Sequence, residues 1–193
     1  MAPPAANSAP PRRHLPLLLA ALAFFGPLLL AVFLYYGTNW RPPGHSNHGE
    51  LINPPRPLSS SLFRGKWSLV YVGSGTCDSD CRHTLYYMRQ THLGLGRLYP
   101  RVQRVFLATG RCCDRAYLGR AYPRLITVDT TNSAAAAGAA GPALLGAFPP
   151  DQRATGIFIV DPHANLMMRY DSRARPEGLL DDLKKLLNLS SIG

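Results

Sequence analysis

The stretch Gly65-Lys66-Trp67-Ser68-Leu69-Val70-Tyr71-Val72-Gly73-Ser74-Gly75-Thr76-Cys77-Asp78-Ser79-Asp80-Cys81 decides how this chain is read. Lys66 to Val72 is rich in β-branched and aromatic residues and predicts a buried strand. Gly73-Ser74-Gly75 breaks it. Asp78, Ser79 and Asp80 are all competent N-caps, so a helix is predicted to start there and run to about Tyr99. Cys77 and Cys81 therefore fall where a strand ends and a helix begins. Two thiols at this spacing can trade electrons as a disulfide or grip a soft metal ion, and the spacing alone leaves both open.

Working outward, Leu85, Met88, His92 and Leu95 recur at three- and four-residue intervals and mark the buried face of that helix. Val102 to Thr109 predicts a second buried strand, Arg111 to Tyr122 a helix, and Leu125 to Val128 a short strand. Asn132 to Gly146 is rich in Ala and Gly and suits either a small-residue helix or a loose insertion. Gly156 to Val160 reads as a strand, Asp161-Pro162-His163-Ala164-Asn165 as a hairpin turn, and Leu166 to Tyr170 as the returning strand. Pro176 to Leu189 closes as a helix with Leu179, Leu180, Leu183, Leu186 and Leu187 on its apolar face. A βαβ unit followed by a ββα unit predicts an α/β fold, a thioredoxin-like sandwich with a mixed central sheet. In that arrangement the chemistry sits after the first major strand, where Cys77 and Cys81 lie.

Toward the N-terminus, Leu15 to Tyr36 is apolar and carries no charge. At helical rise it reaches roughly 30 Å, enough to cross a bilayer core. Arg12 and Arg13 precede it, and Tyr35, Tyr36 and Trp40 suit an aromatic belt at the far interface. The run exceeds a signal-peptide core and no clear cleavage site comes after it, which favours an uncleaved anchor. The predicted organisation is a cytoplasmic tail over 1–14, one transmembrane helix over 15–36, an extended tether over 37–61 and the thioredoxin-like domain over 62–193. The expected location is the bacterial inner membrane, with the N-terminus cytoplasmic and the domain periplasmic.

The formal charge is +10, with lysine only at Lys66, Lys184 and Lys185. An exported domain rarely meets nucleic acid, so none is expected as a partner; anionic headgroups or an acidic protein suit the charge better. Four cysteines outside a reducing cytosol favour thiol or disulfide chemistry over packing. Cys77 and Cys81 are expected to form a reversible disulfide. Cys112 and Cys113 are adjacent, a strained ring if bonded to each other, and are expected to stay out of it. The helix N-terminus would favour a thiolate, as would Arg82 and His83; Asp78 and Asp80 oppose it. The blander reading is a structural disulfide stapling a loop to a helix.

The strand Gly65 to Val72, the Thr76-Cys77-x3-Cys81 turn, and Gly156-Ile157-Phe158-Ile159-Val160-Asp161-Pro162 with its following strand resemble the Sco (SenC-like) family. These are membrane-anchored, thioredoxin-like proteins that help assemble the copper centre of cytochrome c oxidase. Asn47 to Leu58 and Tyr86-Tyr87-Met88-Arg89-Gln90 look closer still to a divergent proteobacterial branch. The resemblance implies Cys77 and Cys81 as copper ligands and an oxidase subunit, or another copper-centre assembly factor, as partner. Two departures stand out. Arg82 replaces the family's usual Pro. Counting back from Pro162 to the family's ligand His reaches Arg153, and no His occurs from Phe148 to Val160. His83 is the best substitute ligand. His92 reads as a semi-buried helix residue, His163 as a surface residue of the hairpin turn, and His45 and His48 as tether residues.

The expected function is that of an assembly factor rather than an enzyme proper. Cys77 and Cys81 would carry copper or keep a partner's copper-binding cysteines reduced. The alternatives are an exported thiol-disulfide oxidoreductase unrelated to copper, and a non-catalytic interaction module whose disulfide is structural. With Arg153 in the ligand's place, any copper binding is expected to be weaker than in relatives that keep the His. It is also expected to favour cuprous over cupric ion.

Overall fold

Residues on the central strand alternate between two cores, because successive side chains of a strand point to opposite faces. In the computed structural model, which describes residues 15–37, 47–110, 114–131, 141–153, 155–173 and 176–192, this strand is β2, Trp67–Ser74. Trp67, Leu69 and Tyr71 pack with Cys81, Leu85, Met88, Phe106, Leu179, Leu183 and Leu187 on one face. Val70 and Val72 pack with Phe63, Val105, Leu107, Phe148, Phe158 and Val160 on the other. Every residue from Trp67 to Gly73 is buried, as a strand covered on both faces must be.

Among the described residues the sheet has six strands in the order β1-β6-β5-β2-β3-β4, with β1 at Glu50–Pro57. β2 runs parallel to β3 (Val102–Thr109), and β3 parallel to β4 (Leu125–Asp129). β5 (Gly156–Val160) and β6 (Asn165–Asp171) form the hairpin, and β5 pairs antiparallel with β2. This is the mixed thioredoxin-like sheet the element order predicts. The hairpin turn is held by Asp161, whose Oδ1 accepts the N–H groups of His163 and Asn165 at 2.9 and 2.7 Å. His163 is exposed there.

Three local readings change. The helix after the thiols, α2, spans Ser79–Gly94 and stops short of Tyr99. Gly96 adopts a left-handed φ of 58°, which glycine takes without steric cost, and a 3-10 turn, Gly96–Arg101, follows. Glu50–Pro57, expected to be tether, forms strand β1 at the sheet edge, antiparallel to β6. Its register shifts between Leu51 and Arg56, so the irregularity absorbs Pro54 and Pro55, which have no N–H to give to a ladder. The helix expected over Arg111 to Tyr122 is described as α3, Arg115–Ala121, capped by Asp114, whose Oδ1 accepts the Tyr117 N–H at 2.8 Å. A short helix α4, Gly141–Gly146, occupies the end of the Ala/Gly-rich stretch.

The closing helix α5, Pro176–Leu189, buries Leu179, Leu183 and Leu187 completely. It also carries Asp182, 3% exposed, which holds the start of the domain. Its Oδ2 accepts the N–H groups of His48 and Gly49 at 2.6 and 3.1 Å, and the hydroxyl of Tyr170 as well. Burial alone would raise the Asp182 pKa. The Tyr170 hydroxyl and the two backbone N–H groups outweigh it and leave the carboxyl below its ordinary value. A depressed carboxylate adds stability above the unfolded pKa, and that stability is lost as pH falls through the folded one. Asp182→Asn is expected to lower unfolding free energy by about 2–3 kcal/mol at neutral pH. It should also flatten the acid limb of stability below about pH 4. Denaturant midpoints at pH 7 and pH 3 check this; an unchanged acid limb would show that Asp182 is not the group responsible.

Helix α1, Leu15–Gly37, is separate from this unit. It has 23 residues, a mean hydropathy of 2.7 over its most apolar 18-residue stretch and no buried residue. It fits a single-pass membrane anchor by length and composition.

Candidate functional site

Cys77 and Cys81 are joined as a disulfide, with 5.0 Å between their Cα atoms. The turn that presents them is built from β2 and β3. The Gly75 N–H donates to the Thr109 carbonyl at 3.0 Å, and the Thr109 hydroxyl to the Gly73 carbonyl at 3.1 Å. Ser74 and Thr76 hydroxyls bond at 2.8 Å, and the Cys77 N–H reaches back to the Ser74 carbonyl at 3.1 Å. Cys77 itself sits at a left-handed φ of 47°, a conformation that costs a non-glycine residue about 1–2 kcal/mol. Asp78 then caps α2: its Oδ1 accepts the Cys81 N–H at 2.9 Å.

The two sulfurs differ in access. Cys81 is fully buried against the α2 face of the core, while Cys77 is only partly covered. Cys77 is therefore the more accessible residue of the pair. In the reduced form the α2 N-terminus favours a thiolate. Asp80 opposes it less than its charge suggests, because Arg173 pairs with it at 2.8 Å. Arg173 lies just past β6, and its neighbour Ser172 accepts the Thr84 hydroxyl at 3.0 Å, so this loop is bound to the first turns of α2.

Tyr71, absent from the candidates drawn from the sequence, also stands close to this turn. Its phenol is pushed up to about 12, first by burial and then by the charges of Asp78 and Asp80. It is neutral at physiological pH. Its ring stacks on Phe106 at 5.5 Å, and a Cβ at Gly73 would stand 2.4 Å from its hydroxyl. Gly73 is thus the residue that lets Tyr71 rise beside the turn. A bare glycine two positions after an aromatic residue on a strand was the available signal.

The histidines are not gathered around the thiols. His83 is exposed and, two residues beyond Cys81, lies about 200° around α2 from it. His92 lies about 16 Å farther along α2, stacked on Tyr99 with Nε2 3.0 Å from the Tyr99 carbonyl oxygen; burial holds its pKa low. His48 is tied to Asp182. His45, Cys112 and Cys113 lie outside the described residues. Among the described residues no three His, Cys, Asp or Glu side chains form a group able to hold a metal ion. Arg153, at the position the family resemblance assigns to a ligand, spends its guanidinium on carbonyls: Nη2 donates to Leu145 and Phe148 at 2.6 and 2.8 Å, and Nε to Phe148 at 3.1 Å.

Comparison with known proteins agrees with the geometry. No curated protein is significantly similar in sequence. Among solved structures, apo Sco1 from Thermus thermophilus is 18% identical, covering 76% of this chain and 98% of its own, with a TM-score of 0.50. Yeast Sco1 with copper bound is 15% identical, covering 76% and 96%, with a TM-score of 0.52. At such identities the likeness establishes the fold, which is the one Sco1 proteins share. The family described as "transmembrane-like, thioredoxin-like, C-terminal domain" matches residues 67–190, and the chain belongs to that family.

Proposed function

We propose that this protein is a membrane-anchored thioredoxin-like factor in the assembly of the copper centre of cytochrome c oxidase, working by thiol–disulfide exchange through Cys77 and Cys81. The observation that carries the reading is the disulfide at the start of α2 with one cysteine partly exposed and the other buried. In the dithiol form, the Cys77 thiolate attacks a partner's disulfide and releases one partner thiolate. The Cys81 thiolate then attacks the Cys77 sulfur and releases the second. Two electrons pass to the partner, whose two thiolates take up the protons lost by Cys77 and Cys81. The partner's cysteines are left reduced and able to take copper. Incubating the reduced full-length protein with an oxidised peptide carrying an oxidase-type cysteine pair tests this. Stoichiometric reduction of the peptide is expected, and its absence would sink the reading. Catalytic turnover of insulin, with no preference for the oxidase peptide, would favour a general oxidoreductase.

Copper handling is the second reading. It is favoured by the structural likeness to yeast Sco1, solved with copper bound, and by a pair of soft donors that would both face one ion once reduced. Here copper is cargo, passed on rather than kept.

Both readings place the domain outside the cytoplasm. Arg12 and Arg13 before α1 favour a cytoplasmic N-terminus and export of the domain beyond the helix. Alkaline phosphatase fused after Gly193 is expected to be active in a bacterial host, and a cytoplasm-dependent reporter at the same site silent. The reverse pattern would place the thiols in a reducing compartment and remove the basis for a stable disulfide.

A further inference from the structure

The positive charge of this chain is concentrated in one segment. Between Cys81 and Val128 there are nine arginines and a single acid, Asp114; the rest of the chain holds twelve cations against ten acids. A uniformly basic composition would spread the excess. The segment builds most of α2, then β3 and α3, and it begins at the second cysteine. On α2, Arg82, Tyr86, Arg89 and Leu93 fall four, three and four residues apart, on one stripe about 16 Å long. The stripe faces solvent: Arg82 is exposed, Arg89 half-buried, and Tyr86 and Leu93 are 55% and 51% exposed.

Helix α3 lies beside the first turns of that stripe. The hydroxyl of Tyr122, the C-cap of α3, donates to the Arg82 carbonyl at 3.1 Å. The Tyr117 and Tyr122 rings meet edge to face with centroids 6.3 Å apart. Burial and Tyr117 hold the Tyr122 phenol above its ordinary value while Arg82 and Arg89 act to lower it, so both guanidinia are within electrostatic reach of α3. Arg120 is exposed and, three residues after Tyr117, shares its face of α3.

Among the described residues Arg82, Arg89 and Arg120 enter no ion pair. The acids beside them are engaged elsewhere: Asp80 pairs with Arg173, and Asp78 and Asp114 cap α2 and α3. Guanidinia alternating with exposed aromatic and aliphatic side chains have the composition of a protein interface, where Arg and Tyr carry much of the binding energy. Their sign calls for an acidic counterpart. Their place in the fold favours a protein over a lipid surface. Arg82 follows Cys81 directly, so whatever docks here is held beside the thiol turn. Helix α3 adjoins β4 at one edge of the sheet, whereas the chain enters the domain at β1, the other edge.

We infer that the exposed face of α2 and α3 docks an acidic protein surface, that of the partner whose disulfide Cys77 attacks. The partner's identity rests on the thiol-exchange reading; the docking itself rests on charge and geometry alone. Opposite charge beside the thiol turn raises the encounter rate without altering the exchange, because steering acts before any bond forms.

The test uses the full-length protein in a non-ionic detergent and two dye-labelled peptides. Each carries an oxidised cysteine pair, flanked by glutamates in one and by glutamines in the other. Serine versions of both report binding by fluorescence anisotropy without exchange. At low salt the glutamate peptide should bind, and be reduced by the dithiol protein, at least about tenfold better than the glutamine peptide. That preference should collapse in about 1 M salt, where screening shortens to about 3 Å. Arg89→Gln/Arg120→Gln should cut the preference at least about fivefold and leave reduction of the glutamine peptide unchanged. Arg64→Gln/Lys66→Gln removes as much charge from exposed positions outside this face and should leave the preference intact. The proposal is overturned if the peptides bind alike, or if both double variants lose the preference equally, which would assign it to net charge. It is also overturned in favour of a bilayer if hydrogen exchange of α2 and α3 slows in phosphatidylglycerol nanodiscs but not in phosphatidylcholine, with no preference between peptides. Binding of the glutamate peptide without its reduction would uphold the docking face and sink the exchange reading. Equal reduction of both peptides without a binding preference would do the reverse.

Discussion

Cys77→Ser is expected to abolish reduction of a partner disulfide altogether, while Cys81→Ser is expected to trap the partner. The two cysteines are not interchangeable in this fold. Cys77 is the sulfur a partner can reach; Cys81 is fully buried, with its N–H held by Asp78. Without Cys77 the remaining thiol has no path to a bulky disulfide. Without Cys81 the first attack still occurs, but the mixed disulfide has no resolving thiolate. Gel-shift analysis of each variant after exposure to the oxidised peptide separates these outcomes. A covalent adduct with Cys81→Ser and none with Cys77→Ser is the expected pattern. Adducts with Cys77→Ser instead would reverse the assignment of the attacking sulfur. The oxidised species of the parent should vanish in both variants and persist in Cys112→Ser; its survival in Cys77→Ser would mean that another pair forms the disulfide.

The strands and the thiol turn were legible in the sequence because their signals are local and strong. β2, β3, β5 and α5 follow directly from β-branched runs and leucine spacing, and Asp78 caps α2 as its position suggests. β1 was not legible. Its residues are mostly exposed and carry three prolines, Pro54, Pro55 and Pro57, so neither periodicity nor propensity marks a strand. Only pairing with β6, with Glu50 and Arg169 at 2.9 Å, makes it one. The site was half legible. Cys77 and Cys81 announce themselves by spacing, but the difference in their exposure comes from packing that local sequence does not encode. Arg173 reaches the turn from far along the chain, through its pairing with Asp80. By its count from Pro162, Arg153 is a cation standing where the resemblance implies a ligand. The structure gives it a local duty, donating to the Leu145 carbonyl within α4 and the Phe148 carbonyl just beyond it, which no count of residues from Pro162 could reveal.

The reduced protein is expected to bind one cuprous ion through Cys77 and Cys81 and to bind cupric ion far more weakly. Cuprous copper is soft and rests on few thiolate donors; cupric copper is harder and seeks imidazole beside sulfur. The described histidines offer no such help at this site: His83 is exposed on α2, His92 is stacked on Tyr99, and His48 is held by Asp182. Losing either thiolate removes a direct ligand. It should therefore cost more than the ~10–100-fold typical of outer-shell changes. His83→Ala should change cuprous affinity by less than that. Arg153→His is the sharper probe. A His there cannot reproduce the three hydrogen bonds that Arg153 makes to the Leu145 and Phe148 carbonyls, so the variant should lose about 1–3 kcal/mol of stability. If the new imidazole reaches the thiols it should also raise cupric affinity. Competition titrations of the reduced full-length protein with both ions, alongside denaturant midpoints, read all of these effects. Tight one-to-one cupric binding by the unaltered protein, lost in His83→Ala or His92→Ala, would show that an imidazole does join the sulfurs and would overturn the expected preference.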